Sequence, residues 1–540
     1  MNNRLVWCLF AAVCLALAMR IPQLDTRPMH TDESVHAIKF QGLWEHGTYK
    51  YDPNEYHGPS LYYATLPVAW LSRVPSFAQS RENLFRFVPA IFGAALILLL
   101  GFVVDGQGRA AVFWSALFIA VSPAMVFYSR YYIHEMPFVF FTFLLMGAAW
   151  RYSRNPRLGW MILAGVALGL MQATKETFVF NIAAMAPAAG LVWGLEHCRA
   201  TSGSESHLAG ERPLSVPGFV FKPGHWILGA LAAAMVSVTL FSSFFTNASG
   251  PLDSVRTYLP WLNRAGGQSA HNHPWYYYLE LLGWTHRSKN LVWSEGLILG
   301  LAVVGMIAGF LRRGLEARQV PWVRFVALYT LLLTAAYSVI AYKTPWCLLG
   351  FLHGFILLAG VGAAVLVRSF RPVTAKVIVV LMLAGAIVQL GGQACRAAFV
   401  YSSDPRNPYV YAHTLPDLVE MTDKIKTISQ ADPRGAGLPI KIIAAGGDYW
   451  PLPWYLRELT NTGYYADMPE NPRAAIVVNS PQFATVLDAR FTNDYADAGL
   501  FGHRPAVFLQ LRVEKGLWKK YLESKPRPVV DGASDQGGAR

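Results

Sequence analysis

Long apolar runs separated by short polar loops dominate the first three quarters of the chain. Segments at about 5–21, 87–104, 110–127, 137–150, 158–173, 177–195, 225–245, 291–311, 322–341, 346–367 and 375–392 carry almost no charge. Most approach the roughly 17–25 residues that a helix needs to cross a hydrocarbon layer. About eleven transmembrane helices are expected, with 137–150 and 158–173 short enough to be tilted or only partly inserted. From residue 393 the pattern changes. Strand-like runs at Ile440–Ala445, Ala474–Asn479 and Ala506–Val513 alternate with helical stretches near Leu452–Leu459 and Gln482–Arg490, the latter opened by Ser480 as cap and Pro481 in the first turn. The fold class expected is a multi-pass α-helical membrane protein with a small C-terminal extracytoplasmic α/β domain. Its expected parts are a transmembrane domain over 1–392 with large outer loops 22–86 and 246–290, the α/β domain over 393–525, and a disordered tail over 526–540. The polar stretch 199–224 reads as a flexible cytoplasmic connector.

Composition supports the membrane assignment. Of the 540 residues, 54% are hydrophobic and only 15% charged, against roughly 25% charged in soluble domains. The net charge of +13 divides into +12 before residue 392 and +1 after it. The excess is therefore a matter of loops and anionic lipid, and no basic tract of the nucleic-acid type is present. Three short loops are rich in cations: Arg151, Arg154 and Arg157; Arg312, Arg313 and Arg318; Arg368, Arg371 and Lys376. The alternate loops hold one each, Arg130, Lys175 and Lys343. By the positive-inside rule the first set is cytoplasmic, the N-terminus is inside, and the C-terminal domain lies outside, in a cell (inner) membrane. Arg4, a short apolar run and Ala16-Leu17-Ala18 also fit a signal peptide; either way the chain emerges outside from residue 22. Five scattered cysteines without a CxxC indicate neither zinc nor a disulfide framework.

The polar residues that the topology leaves at the outer boundary are the candidate chemistry. His30-Thr31-Asp32-Glu33-Ser34-Val35-His36 places two carboxylates and two histidines just after the first apolar segment. They can supply a general base or a ligand, and equally a helix start, with Thr31 as cap and the two acids at the positive end of the dipole. Arg130, His134 and Glu135 sit in a tight loop, Lys175 and Glu176 in another, and Lys343 just before Pro345. Ionisable groups at membrane depth are costly unless paired or functional, although snorkelling explains each of them alone. His271 and His273 have no evident third ligand, so no metal is assigned to them. Acids and bases gathered at one membrane face suit a reaction between a lipid-phosphate donor and an external acceptor.

His30-Thr31-Asp32-Glu33 after a first apolar helix resembles the integral-membrane C-type (GT-C) glycosyltransferases, which include protein O-mannosyltransferases and aminoarabinose transferases. Arg86-Phe87-Val88-Pro89, Ser122-Pro123, Ser129-Arg130 and Glu135-Met136-Pro137 add to that resemblance. Lys343-Thr344-Pro345-Trp346, Asn407-Pro408-Tyr409-Val410-Tyr411-Ala412-His413 and Trp450-Pro451-Leu452-Pro453-Trp454-Tyr455-Leu456-Arg457 are similar to a prokaryotic subfamily described as flippase-activity-associated. The resemblance implies inverting transfer of a sugar from a polyprenyl-phosphate-linked donor to a protein, lipid or glycan acceptor outside the membrane. It implies Asp32 as the base, with Glu33 beside it, and Glu135 at a second acidic position where many relatives carry Asp. His30, His36, Arg130, His134, Lys175, Glu176 and Lys343 are the candidate substrate-binding residues, with the three cations considered for the lipid phosphate. A divalent cation held with Asp32 is left open as a cofactor. The alternative implied by the subfamily is a non-catalytic lipid-linked-sugar binding protein or a flippase-associated accessory factor.

Overall fold

Each of the eleven apolar segments contains a helix in the computed structural model, 291–311 only from Gly296, and the model describes residues 3–525 except 56, 202–221, 268, 270, 289–290 and 492. Most of the connector read at 199–224 and the whole of the tail 526–540 lie outside the described residues. Seven helices are long and apolar enough to cross a membrane: Asn3–Arg20, Glu82–Phe102, Phe178–Cys198, Pro223–Phe241, Val320–Val339, Pro345–Ser369 and Val373–Val400. Arg109–Val121, Leu158–Gln172 and Gly296–Leu311 are apolar but shorter, and Glu135–Arg154 is a further helix of 20 residues. The outward faces of Pro223–Phe241 and Val373–Cys395 expose Leu231, Met235, Met382 and Val388. Water solvates such a surface poorly, and only hydrocarbon matches it.

The chain divides into two units, one formed by residues 1–27 and 36–411, the other by residues 28–35 and 412–540. Among its described residues the first unit is built of helices and loops with one small antiparallel strand pair, Thr285–Ser288 with Leu291–Trp293. Its centre is the helix Leu349–Ser369, buried along most of its length. Glycines allow the neighbouring helices to approach closely: a Cβ on Gly305 would meet Leu358 O at 2.2 Å, and one on Gly362 would meet Leu301 O at 1.9 Å. Small residues at such crossings are the usual means of packing helices where lipid supplies no hydrophobic drive.

The second unit is built on a five-stranded sheet in the order Thr462–Tyr465, Ile440–Ile443, Ile476–Asn479, Val507–Glu514, Tyr495–Arg504. The first three strands run parallel, and the last two pair antiparallel to their neighbours. Helices Pro416–Gln430 and Lys515–Ser524 cover one face through Leu418, Met421, Ile425, Ile428 and Leu517, and Ala484–Phe491 covers the other through Leu487 and Phe491. Three strands fall where the hydropathy placed them. The helical stretch expected over Leu452–Leu459 is the single turn Leu452–Tyr455. Ser480 makes no side-chain cap; its hydroxyl instead accepts from Ala445 N at 3.2 Å, so it ties two loops rather than a helix start.

Candidate functional site

In the second unit, residues 28–35 bring the first acidic motif into the structure. The helix Thr31–His46 begins here, and residue 30, not Thr31, occupies its cap. Glu33 reaches back so that His30 N donates to Glu33 Oε2 at 2.9 Å, the carboxylate half of a capping box. His30 Nδ1 accepts from Asp32 N at 3.1 Å, which supplies the other half. Glu33 and His30 are consequently buried, at 0% and 4% exposure. Asp32 differs from both. Its side chain is 41% exposed and its carboxylate accepts no hydrogen bond among the described residues, with Asp32 Oδ2 4.0 Å from His30 Nδ1. The structural and chemical readings of the motif therefore fall on different residues: Glu33 holds the helix start, and Asp32 presents a carboxylate.

In the first unit, a buried polar cluster gathers five of the sequence candidates. Gly58 is the device that closes it. Its N–H donates to Thr174 O at 3.1 Å and Ser60 N donates to Ala173 O at 2.9 Å, an approach so close that a Cβ on Gly58 would lie 2.1 Å from Ala173 O. This seam sets His57 Nδ1 3.0 Å from Glu176 Oε2. Burial alone would raise the Glu176 pKa, but His57 and Lys175 pull it below the ordinary carboxylate value. Lys175 Nζ is paired with Glu135 and lies 3.9 Å from Cys347 Sγ. Burial pushes Lys175 down, and the Cys347 thiol, Glu135 and Glu176 more than offset it, so its pKa stands well above the usual lysine value.

His134 Nε2 lies 2.9 Å from Gly58 O. A carbonyl only accepts, so Nε2 carries the proton and Nδ1 is the lone pair; that nitrogen is buried without a hydrogen-bond partner among the described residues. Its ring packs edge-on against His36 at 4.6 Å between centroids and lies 5.0 Å from His57, while His36 Nδ1 meets the Tyr62 hydroxyl at 3.0 Å. Burial first, then the neighbouring His36 and His57, hold the His134 pKa well below 6.5. A group depressed in the folded state contributes stability that is complete above its unfolded pKa and lost as the pH falls. The thermal midpoint in detergent is therefore expected to drop below about pH 6.5, with a slope from this group of at most about 1.4 kcal/mol per pH unit. His134→Gln, which keeps a donor for Gly58 O, should flatten that slope; an unchanged slope would assign it elsewhere.

The remaining two candidates have carbonyl partners. Arg130 donates to Arg20 O at 2.8 Å, Pro22 O at 2.6 Å and Gln23 O at 2.9 Å, capping the end of Asn3–Arg20 and fixing the chain that leaves it. Lys343 donates to His273 O at 3.1 Å and to Ile340 O; burial lowers its pKa. His271 and His273 meet on the Tyr411 hydroxyl at 2.6 and 3.2 Å. Sequence reasoning missed His57, whose signal was His-Gly-Pro ahead of a helix, and Glu295. The latter is wholly buried, accepts from Ser122 Oγ at 2.6 Å and Ala124 N at 2.8 Å, and so caps the short helix Pro123–Tyr128. Among the described residues no group of three or more His, Cys, Asp or Glu side chains is arranged to hold a metal ion.

The fold has close relatives among solved structures. ArnT from Cupriavidus metallidurans, bound to undecaprenyl phosphate, superposes with a TM-score of 0.57 at 14% identity, over 94% of this chain and 98% of that one. The oligosaccharyltransferase of Archaeoglobus fulgidus in its apo form gives 0.52 at 12% identity, over 97% and 78%. At these identities the likeness is one of fold. Residues 13–249 match the family model described as dolichyl-phosphate-mannose-protein mannosyltransferase. A comparison with curated protein sequences finds no match.

Proposed function

We propose that this protein transfers a sugar from a polyprenyl-phosphate-linked donor to a protein, lipid or glycan acceptor at the outer face of a cell (inner) membrane, with inversion, and that Asp32 is the general base. The observation that carries the reading is the division of labour in the first motif: Glu33 is consumed as a cap, whereas Asp32 keeps an exposed carboxylate with no hydrogen bond among the described residues. Such a group takes the acceptor proton as its oxygen attacks the anomeric carbon opposite the departing phosphate. The phosphate leaves as an anion, so cationic contacts serve it better than an acid. Of the three cations considered, Lys175 is neutralised by Glu135, and Arg130 spends three bonds on carbonyls. Lys343 spends two of its three donors among the described residues, which leaves the third for a phosphate oxygen. Support also comes from the family match over 13–249, from the undecaprenyl phosphate in the ArnT structure, and from an Archaeoglobus fulgidus AglB structure with a dolichol-phosphate and an inhibitory peptide.

The test is a panel of polyprenyl-phosphate sugars offered to the protein in lipid nanodiscs, with donor binding and release of polyprenyl phosphate followed together. At least one donor is expected to be bound and turned over. Binding across the panel without any release would favour the non-catalytic, flippase-associated role. Lys343→Met is expected to weaken binding of the donor about tenfold or more while leaving kcat within a few-fold; unchanged affinity would remove Lys343 from the phosphate.

A further inference from the structure

The segment that carries Asp32 is also held by residues that follow the membrane region. Residues 28–35 and 412–540 form one unit. Met29 is fully buried, and both of its backbone polar groups are taken by side chains far along the chain. Met29 N donates to the Tyr455 hydroxyl at 2.7 Å, and the Thr414 hydroxyl donates to Met29 O at 2.7 Å. The next residue, His30, stacks on His413 with centroids 5.7 Å apart and planes 22° from parallel. The residue after that, Thr31, donates to Trp450 O at 3.4 Å, an oxygen that also accepts from His503 Nε2 at 2.7 Å. The chain of contacts stops one residue short of Asp32. Since no hydrogen bond orients the Asp32 carboxylate among the described residues, the backbone path through residues 29–31 is what aims it.

We propose that Tyr455 and Thr414 are positioning residues for Asp32, and that the C-terminal unit acts in the transfer reaction by setting the placement of the base. The proposal rests on the reading of Asp32 as the base. The two hydroxyls leave the base chemically untouched and fix where it stands. A displacement of about 1 Å at a reacting group costs on the order of 10²-fold in rate, so loss of either clamp should appear in kcat and not in donor binding.

Tyr455→Phe and Thr414→Val each remove one hydrogen bond with little change of volume. Each is expected to lower kcat about 10- to 100-fold, to leave donor affinity within twofold, and to lower the thermal midpoint modestly, because a buried backbone group of Met29 loses its partner. Thr414→Ser, which retains the hydroxyl, should restore most of the rate. Combined with Asp32→Asn, neither substitution should lower the residual rate further, because both act through the carboxylate that is already gone. If Tyr455→Phe fails to fold, the Thr414 pair carries the same comparison. Wild-type kcat in both single variants, or losses that multiply with that of Asp32→Asn, would overturn the positioning role. If Asp32→Asn itself turns over normally, the base assignment fails instead, and the two results are read separately.

Discussion

Asp32→Asn is expected to reduce sugar transfer by 10²- to 10⁴-fold, the range associated with loss of a positioned general base, while donor affinity and the thermal midpoint stay close to wild type. The substitution keeps the size of the side chain and removes only its ability to take a proton. Among the described residues no hydrogen bond is made to that carboxylate, and the helix start is secured by Glu33 and by His30 Nδ1. Glu33→Gln provides the contrast. It keeps an oxygen that can accept from His30 N, so it should preserve measurable transfer. The reverse pattern, with Glu33→Gln inactive and Asp32→Asn active, would exchange the roles of the two acids.

Lys175→Met and Glu135→Gln are each expected to destabilise the protein by about 3 to 5 kcal/mol, because breaking a buried ion pair from one side leaves the other charge without its partner. Both side chains are nearly buried, at 7% and 6% exposure. Lys175→Met is the more severe of the two, since it leaves two carboxylates, Glu135 and Glu176, in the same buried region with only His57 to compensate. The double variant should recover a substantial part of the loss, as both charges are then gone. Thermal unfolding in detergent measures all three. If the double variant is no more stable than Lys175→Met alone, the pair is not energetically coupled in the way its geometry indicates.

The membrane helices are legible because an apolar run of about 20 residues has few alternatives. The C-terminal unit is less so. Ile440–Ile443 and Ile476–Asn479 announce themselves as apolar strands buried on both faces, whereas Tyr495–Arg504 is interrupted by Gly499 and Gly502 and Thr462–Tyr465 is short and half-exposed. The helix Pro416–Gln430 did carry a signal, with Pro416 in the first turn and Leu418, Met421, Ile425 and Ile428 at helical spacing. In the site, sequence singled out a set of polar residues and left their roles open. Whether Asp32 or Glu33 is the cap depends on which carboxylate turns back to His30 N, and adjacent acids look alike in one dimension. Arg130 read as a cation for phosphate because the carbonyls of Arg20, Pro22 and Gln23 are invisible to any count of charges. His57 went unnoticed because its partner, Glu176, lies 119 positions away.

The configuration of the transferred sugar tests the account most directly. A donor of known anomeric configuration, turned over by the wild-type protein and read by NMR at the anomeric centre of the product, should give the inverted sugar with one polyprenyl phosphate released per sugar transferred. Retention of configuration, or a donor that is bound but remains intact, would contradict single displacement assisted by Asp32.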